Sequence, residues 1–149
     1  MEVLFRQILV PVDGSEPSLQ AMQMALRLIR LCPDCRLTAL FVIDKLVVAE
    51  LVRFGTRGPR EMRAEVEEEG RRYLELARKD AERHGVAAEM QTREGDPFEE
   101  IVSFAKELRA DLIVMGHTGQ RGTARVLIGS VTQRVLDYAP CPVLVTRGV

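Results

Sequence analysis

Short apolar runs rich in β-branched residues alternate along this chain with longer amphipathic stretches, and that alternation restricts the fold more than any other feature. Ile8-Leu9-Val10-Pro11-Val12 is the first such run, closed by Asp13-Gly14-Ser15. Runs of this kind read as strands buried on both faces. Ser15 is placed to cap a helix with Pro17 in its first turn. Leu19, Met22, Leu26 and Ile29 follow at helical spacing until Cys32-Pro33 stops the helix. Leu37–Ile43 is the second strand. Residues 44–58, partly apolar and broken by Gly55 and Gly58, fit either a loop or a short helix.

A long charged helix is predicted from Pro59 to His84, with Met62, Val66, Tyr73, Ala77 and Ala81 on one stripe. His84-Gly85 suits its end, a cation at the negative dipole terminus before a residue that tolerates positive φ. Val86–Arg93 is a more polar strand, expected near a sheet edge. Asp96-Pro97-Phe98-Glu99 opens the next helix with a cap, a first-turn proline and a capping box. Its buried face is expected to be Phe98, Ile101, Val102, Ala105 and Leu108. Leu112–Met115 is a strongly apolar strand. The glycine-bearing loop Gly116–Ile128 leads to a helix from Ser130 that ends before Pro140, and Val143–Val145 is the last strand.

Strands that alternate with helices in this way lie parallel, because each crossover must pack back over the sheet. The expected architecture is an open five-stranded parallel α/β sheet with helices on both faces, formed as one domain over residues 1–149. Ligands in such sheets sit beyond the carboxyl ends of the strands, where the strand order reverses. Asp13, Ile43-Asp44 and Gly116 lie at such ends.

Composition removes several classes. Lys and Arg number 21 against 22 Asp and Glu, a formal charge of −1, which disfavours whole-surface nucleic-acid binding. No apolar run has the length of a membrane helix, and Met1–Arg6 does not read as a signal peptide. A soluble, cytoplasmic protein is expected. Its three cysteines form no dense framework that would indicate an oxidising compartment. Cys32-Pro33-Asp34-Cys35 has redox-motif spacing but would end a helix, where the dipole opposes thiolate formation. His84 and His117 are too isolated to suggest a zinc site. Glu65, Glu67, Glu68 and Glu69 read as a solvated helix face.

The segment from Gly116 to Ser130 carries the most specific signal. Gly116, Gly119 and Gly122 fall within seven residues, and Gly129-Ser130 opens a helix. Glycines let backbone amides approach a phosphate, and a helix N-terminus adds unpaired N–H groups with partial positive charge. From Leu112 to Leu136 there is no acidic residue, while Arg121, Arg125 and Arg134 are present. The same glycines suit a tight turn, and Ser130-x-x-Gln133 is a capping box in its own right, so composition leaves both readings open. No Gly-Lys-Ser/Thr follows the glycines, which excludes a P-loop, and a dinucleotide fingerprint belongs after the first strand.

Gly116, Gly119 and Gly129-Ser130 have the Gly-x2-Gly-x9-Gly-Ser/Thr spacing that marks ATP-binding universal stress proteins, and the chain resembles that family. The likeness extends to Ile8–Ser15, to Ala110–Gly116 and to the segment from Gly129–Thr132 through Cys141–Val145. It implies the adenine-nucleotide α-hydrolase-like arrangement with strand order 3-2-1-4-5. It also implies that Asp13 holds the ribose hydroxyls, Pro11 and Val12 line the base pocket, and the backbone of Val42 reads adenine. Met115 and Gly116 would lie against the nucleotide. Gly119, Gln120, Gly129, Ser130, Val131 and Thr132 would surround the phosphates, Ser130 and Thr132 through hydroxyl and amide hydrogens. By charge rather than by the resemblance, Arg121 and Arg125 are candidate phosphate contacts and equally suit solvated surface positions, and His117 in the same loop suits either a phosphate contact or an ordinary loop histidine. ATP with Mg²⁺ or Mn²⁺ held through the phosphates is the implied ligand set.

No residue is evident as a base to orient water on a γ-phosphate, so a regulatory, nucleotide-dependent module with at most slow hydrolysis is expected, with a downstream partner unidentified. An enzyme of the same fold class, acting by adenylyl transfer or as an ATPase, is the alternative. The Ser-Gly-Gly-x-Asp-Ser loop of pyrophosphatase-type adenylating enzymes is absent after the first strand. A flavodoxin-like carrier would want aromatics on the flavin, and the chain has no Trp and two Tyr. If Val143–Val145 is an outer strand, its open edge invites a second copy, and a homodimer through it is the expected state.

Overall fold

A computed structural model describes residues 4–119 and 127–147. Among them the chain runs β1 (Gln7–Pro11), α1 (Glu16–Leu31), β2 (Arg36–Asp44), α2 (Lys45–Phe54), α3 (Pro59–Arg83), β3 (Ala88–Gly95), α4 (Pro97–Leu108), β4 (Leu112–Gly116), α5 (Ser130–Tyr138) and β5 (Val143–Thr146). The five strands form one parallel sheet in the order β3-β2-β1-β4-β5. Both the α/β class and the 3-2-1-4-5 order agree with the sequence reading.

The period-2 alternation of the central strands divides the core into two layers. Ile8 and Val10 of β1 and Leu112 and Val114 of β4 face one side, with Ala21, Met22, Ala25 and Leu26 of α1 and Ala77 and Ala81 of α3. Leu9, Ile113 and Met115 face the other, with Ile101, Val102 and Ala105 of α4 and Val135 of α5. Because both faces are covered, the central strands carry continuous apolar runs.

Ser15 caps α1 by accepting from the Ser18 amide at 3.3 Å, with Pro17 in the first turn. The buried stripe is Ser18, Ala21, Met22, Ala25, Leu26 and Ile29. Leu19 was expected on it but is 43% exposed. Ser18 and the two alanines take the sheet-facing positions, which allow close approach, and Leu19 lies one helical step, about 100°, off that line. Residues 45–54 form a helix, capped by Asp44, whose carboxylate accepts from the Leu46 amide at 2.9 Å.

In α3 the buried line is Met62, Val66, Gly70, Leu74, Ala77 and Ala81, and Tyr73 sits half-buried at its margin. A Cβ on Gly70 would collide with the Phe41 ring, so this glycine seats an aromatic of β2 against the helix. Strand β3 begins and ends two residues later than expected and is an edge, paired to β2. In α4, Ile101, Val102 and Ala105 are buried, while Phe98 and Leu108 are partly buried against them.

One expected cap does not form. Gly129, not Ser130, occupies the N-cap of α5, and no side chain hydrogen-bonds there. Ser130 is instead the first helical residue, so it is too far into the turn to accept from the amides a cap would satisfy.

Candidate functional site

Strand β1 connects outward to β2, whereas β4 returns on its other side, so the carboxyl ends of β1 and β4 part at a topological switch. A cavity of about 800 Å³ opens there. It is lined by the ends of β1, β2 and β4, the start of α5, and side chains of α2, α3 and α4. That volume lies in the range of small-ligand sites.

Asp13 stands where β1 ends. Its Oδ1 accepts from the Ser15 amide at 3.0 Å and from the Ser15 hydroxyl at 2.5 Å, and its own amide donates to the Ser18 hydroxyl at 3.3 Å. These bonds fix the carboxylate in a turn that also starts α1. A Cβ on Gly119 would strike Asp13 Oδ2, so the glycine loop passes directly over the carboxylate.

The opposite side is made of backbone. A Cβ on Gly116 would lie 2.6 Å from the Pro17 carbonyl carbon, so only glycine lets the start of α1 close on the end of β4. A Cβ on Gly129 would lie 2.9 Å from Thr118 Oγ1 and 3.1 Å from Thr118 Cα. The Gly129 amide donates to the His117 carbonyl at 2.6 Å, which brings the two glycine segments together. The Thr132 hydroxyl donates to the Gly116 carbonyl at 3.0 Å and ties α5 to β4. Thr132 is buried, so its hydroxyl is engaged within the fold rather than open to a ligand.

The cavity therefore brings together Pro11, Val12, Asp13, Val42, Met115, Gly116, Gly119, Gly129, Ser130, Val131 and Thr132 of the residues singled out in the sequence. His117 is not in its lining. The His117 amide donates to the Thr146 carbonyl of β5 at 3.0 Å, and its Nδ1 is buried without a hydrogen-bond partner. Gln120, Arg121 and Arg125 lie outside the described residues.

Several lining residues carry no sequence signal. Phe41, Glu69 and Tyr73 come from β2 and α3, and Val47 and Leu51 from α2. Only their packing brings them to the site, whereas the sequence itself places Asp44, also in the lining, at a strand end. The Tyr73 ring lies where a Cβ on Gly14, at φ +82°, would fall, and its hydroxyl donates to Glu69 Oε1 at 3.0 Å. Burial first, and then the Glu69 carboxylate, push the Tyr73 phenol above its ordinary value. Thr118 could have been found, since it is a hydroxyl inside the glycine loop; its Oγ1 is buried without a partner and the residue lines the cavity. Among the described lining residues there is no lysine, arginine or histidine.

The cysteine pair lies elsewhere. Cys32 ends α1, and the Cys35 amide donates to its carbonyl at 3.0 Å. Burial, with Cys32 and Asp111 nearby, pushes the Cys35 thiol up to about 11, the opposite of an activated redox cysteine.

The sequence profile of the universal stress protein family matches residues 4–147. The chain belongs to this family. Universal stress protein MJ0531 of Methanocaldococcus jannaschii is 41% identical over 147 residues, covering 98% of this chain and 84% of that one. The solved structure of MJ0577, from the same organism, superposes with a TM-score of 0.84 at 29% identity, over 99% of both chains. Two more distant structures share the fold. One is a universal stress protein in complex with cAMP, with TM-score 0.68 and 23% identity over 96% of this chain and 97% of that one. The other is the Arabidopsis thaliana family protein At3g01520 with AMP bound, with TM-score 0.65 and 21% identity over 97% and 92%.

Proposed function

We propose that this universal stress protein binds an adenine nucleotide, ATP in the first instance, and acts as a nucleotide-dependent regulatory module. The observation that carries the reading is the start of α5. Its N-terminus is capped by a glycine without any side-chain bond, and it faces a fixed carboxylate across a cavity of about 800 Å³. An uncapped helix start presents amides and partial positive charge to phosphate, and a carboxylate accepts from paired ribose hydroxyls. The family structures with cAMP and AMP bound support an adenine nucleotide as the ligand.

In this reading the amides of Gly119, Gly129, Ser130, Val131 and Thr132 and the Ser130 hydroxyl receive the phosphates. Asp13 takes the ribose, and Pro11, Val12, Val42 and Met115 enclose the base. Gln120 and Arg121 complete the phosphate loop. Mg²⁺ or Mn²⁺ would be held by phosphate oxygens and water. Among the described residues no three His, Cys, Asp or Glu side chains group to hold an ion. Occupancy by nucleotide selects a conformation that a partner reads, and hydrolysis is at most slow. We place the protein in the cytoplasm; among the described residues no helix is long and apolar enough to cross a membrane.

The functional unit in this reading is a homodimer joined through Val143–Val145. Strand β5 is the outer strand beside β4, and edge-on pairing with a second copy in antiparallel fashion would satisfy its open side. A solution mass of 16.7 kDa, that of one chain, overturns the dimer.

Mass spectrometry of nucleotide that copurifies with the protein, followed by calorimetric titration with ATP, AMP and a flavin, tests the ligand. Saturable binding of ATP or AMP is the expected result. A folded protein that binds no adenine nucleotide overturns the reading.

A further inference from the structure

We infer that Cys32 and Cys35 form a modification site for oxidised low-molecular-weight thiols, at which Cys32 is captured as a mixed disulfide and Cys35 resolves it into a reversible internal disulfide. The inference is independent of the nucleotide reading. The pair lies at the amino ends of β1 and β2, whereas the cavity opens at the carboxyl ends.

Residues 32–35 make a turn closed by the Cys35 amide on the Cys32 carbonyl at 3.0 Å. Pro33 suits the second position of such a turn, because its ring presets φ. A turn of this kind holds its first and last Cα atoms within about 7 Å, and a disulfide bridges most of that range. The Cys35 thiol is in hydrogen-bonding contact with that of Cys32, and both are free. The fold has therefore already paired the two sulfurs.

The two thiols are not equivalent. Cys32 is partly exposed at the end of α1, and its thiol donates to the Phe5 carbonyl at 3.1 Å. Cys35 is only 7% exposed, and burial holds its thiol up at about 11. Cys32 therefore meets an oxidant first. The helix terminus opposes thiolate formation, which makes the pair a slow, stoichiometric target and not a catalyst.

In the first exchange the Cys32 thiolate attacks one sulfur of the small disulfide, and the expelled thiolate takes up the proton that Cys32 released. The Cys35 sulfur then displaces the second small thiolate and gives it the Cys35 proton, which closes the Sγ–Sγ bond. Two electrons pass from the pair to the oxidant, which leaves as two thiols. Oxidation also removes the donor of the Phe5 carbonyl, so the mark falls on the segment that leads into β1. In a reducing compartment such a bond is transient, closing only when the oxidised fraction of the small-thiol pool rises.

The reduced full chain, incubated with oxidised glutathione at pH ~8, quenched in acid and mapped by mass spectrometry, tests this. The native protein should lose two hydrogens to a Cys32–Cys35 bond, regain them in excess reduced glutathione, and keep Cys141 as a free thiol. Cys35→Ala should stop at one glutathione on Cys32. Cys32→Ala should take up glutathione on Cys35 about 10-fold more slowly or not at all. Where circular dichroism shows that alanine disturbs the fold, serine replaces it. No internal bond in the native protein, or one that includes Cys141, overturns the inference. Equal uptake by the two variants overturns the order of attack, and a native chain that retains glutathione on Cys32 overturns the resolving role of Cys35.

Discussion

The cavity wall formed by the end of β4 and the start of α5 bears no charge among its described residues, whereas the wall formed by β1, β2 and α3 carries Asp13, Asp44 and Glu69. The first is backbone: glycines at 116, 119 and 129 bring amides and carbonyls into the space side chains would fill. The second is side chains on rigid elements, each oriented by a hydrogen bond to a neighbour. An amide wall suits an anion without itself titrating, and a carboxylate wall suits hydroxyl donors. In the proposed reading, the difference gives the site a direction, phosphates at one end and a sugar at the other. It also lets each wall be broken separately.

The largest effect is expected where the two walls touch. Valine at Gly119 places a β-carbon against Asp13 Oδ2, so it should displace both the glycine loop and the Asp13 carboxylate. Several charge-assisted hydrogen bonds are then lost together, and ATP affinity should fall by about 100-fold or more. Gly119 lies outside the buried core, so the thermal midpoint should move little. Calorimetry and circular-dichroism melting on the same sample measure both. Retained affinity would mean that the loop does not contact the ligand.

The two walls also differ in how far the sequence revealed them. The amide wall comes from two short segments, within Gly116–Gly119 and Ile128–Gln133; glycine spacing left it open between a turn and a cradle, and the family resemblance singled it out. The carboxylate wall was legible at Asp13 and Asp44, which end two strands, and not at Glu69. Glu69 sits among four glutamates of an exposed helix turn, and Tyr73 looked like one more member of the apolar stripe. What sends Tyr73 to the cavity is Gly70, which lets α3 close on Phe41, together with Gly14, which leaves room for the ring. Those are contacts between residues far apart in the chain, and periodicity does not encode them. The fold was legible for a related reason. Strand and helix periods are local, and the crossover rule converts them into a parallel sheet. Errors fell where a small residue replaced a large one at a packing face, as at Leu19, and where glycine took a cap from Ser130.

Asp13→Asn tests the carboxylate wall by itself. The amide oxygen can still accept from the Ser15 amide and hydroxyl, so the start of α1 should persist. The charge that receives the ribose in the proposed reading is lost, and affinity for ATP should fall about 10- to 30-fold. A nucleotide lacking both ribose hydroxyls should bind the variant and the native protein alike. If 2′,3′-dideoxy-ATP still distinguishes them, Asp13 faces something other than the ribose.

Gly14→Ala acts on the same wall from behind. The added methyl meets the Tyr73 ring at a backbone φ of +82° that only glycine adopts readily. A cost of about 1–3 kcal/mol in stability is expected from this overpacking, read from urea unfolding. Affinity for ATP should fall only about threefold, because the amide wall is untouched and Asp13 keeps its own bonds. A loss as large as that of the Gly119 variant would show that the two walls move as one unit.

The smallest effect separates the walls by pH. Only the carboxylate wall contains a phenol, and in the folded protein its value is raised, mainly by burial and then by Glu69. A raised value means that the fold favours the protonated phenol. The stabilisation from the Tyr73–Glu69 bond is therefore complete below the ordinary tyrosine value of about 10 and is lost as pH rises through the higher folded value. Tyr73→Phe should lower stability by about 0.5–1 kcal/mol at pH 8. The deficit should shrink above pH ~10 and then reverse, because the native protein must ionise a phenol beside a carboxylate and the variant need not. Urea unfolding of both proteins from pH 8 to pH ~11 follows the crossing, with Tyr138 common to both and cancelling from the difference. A deficit that stays constant across that range would show that the hydroxyl contributes nothing through its proton, and that Tyr73 supports the carboxylate wall by packing alone.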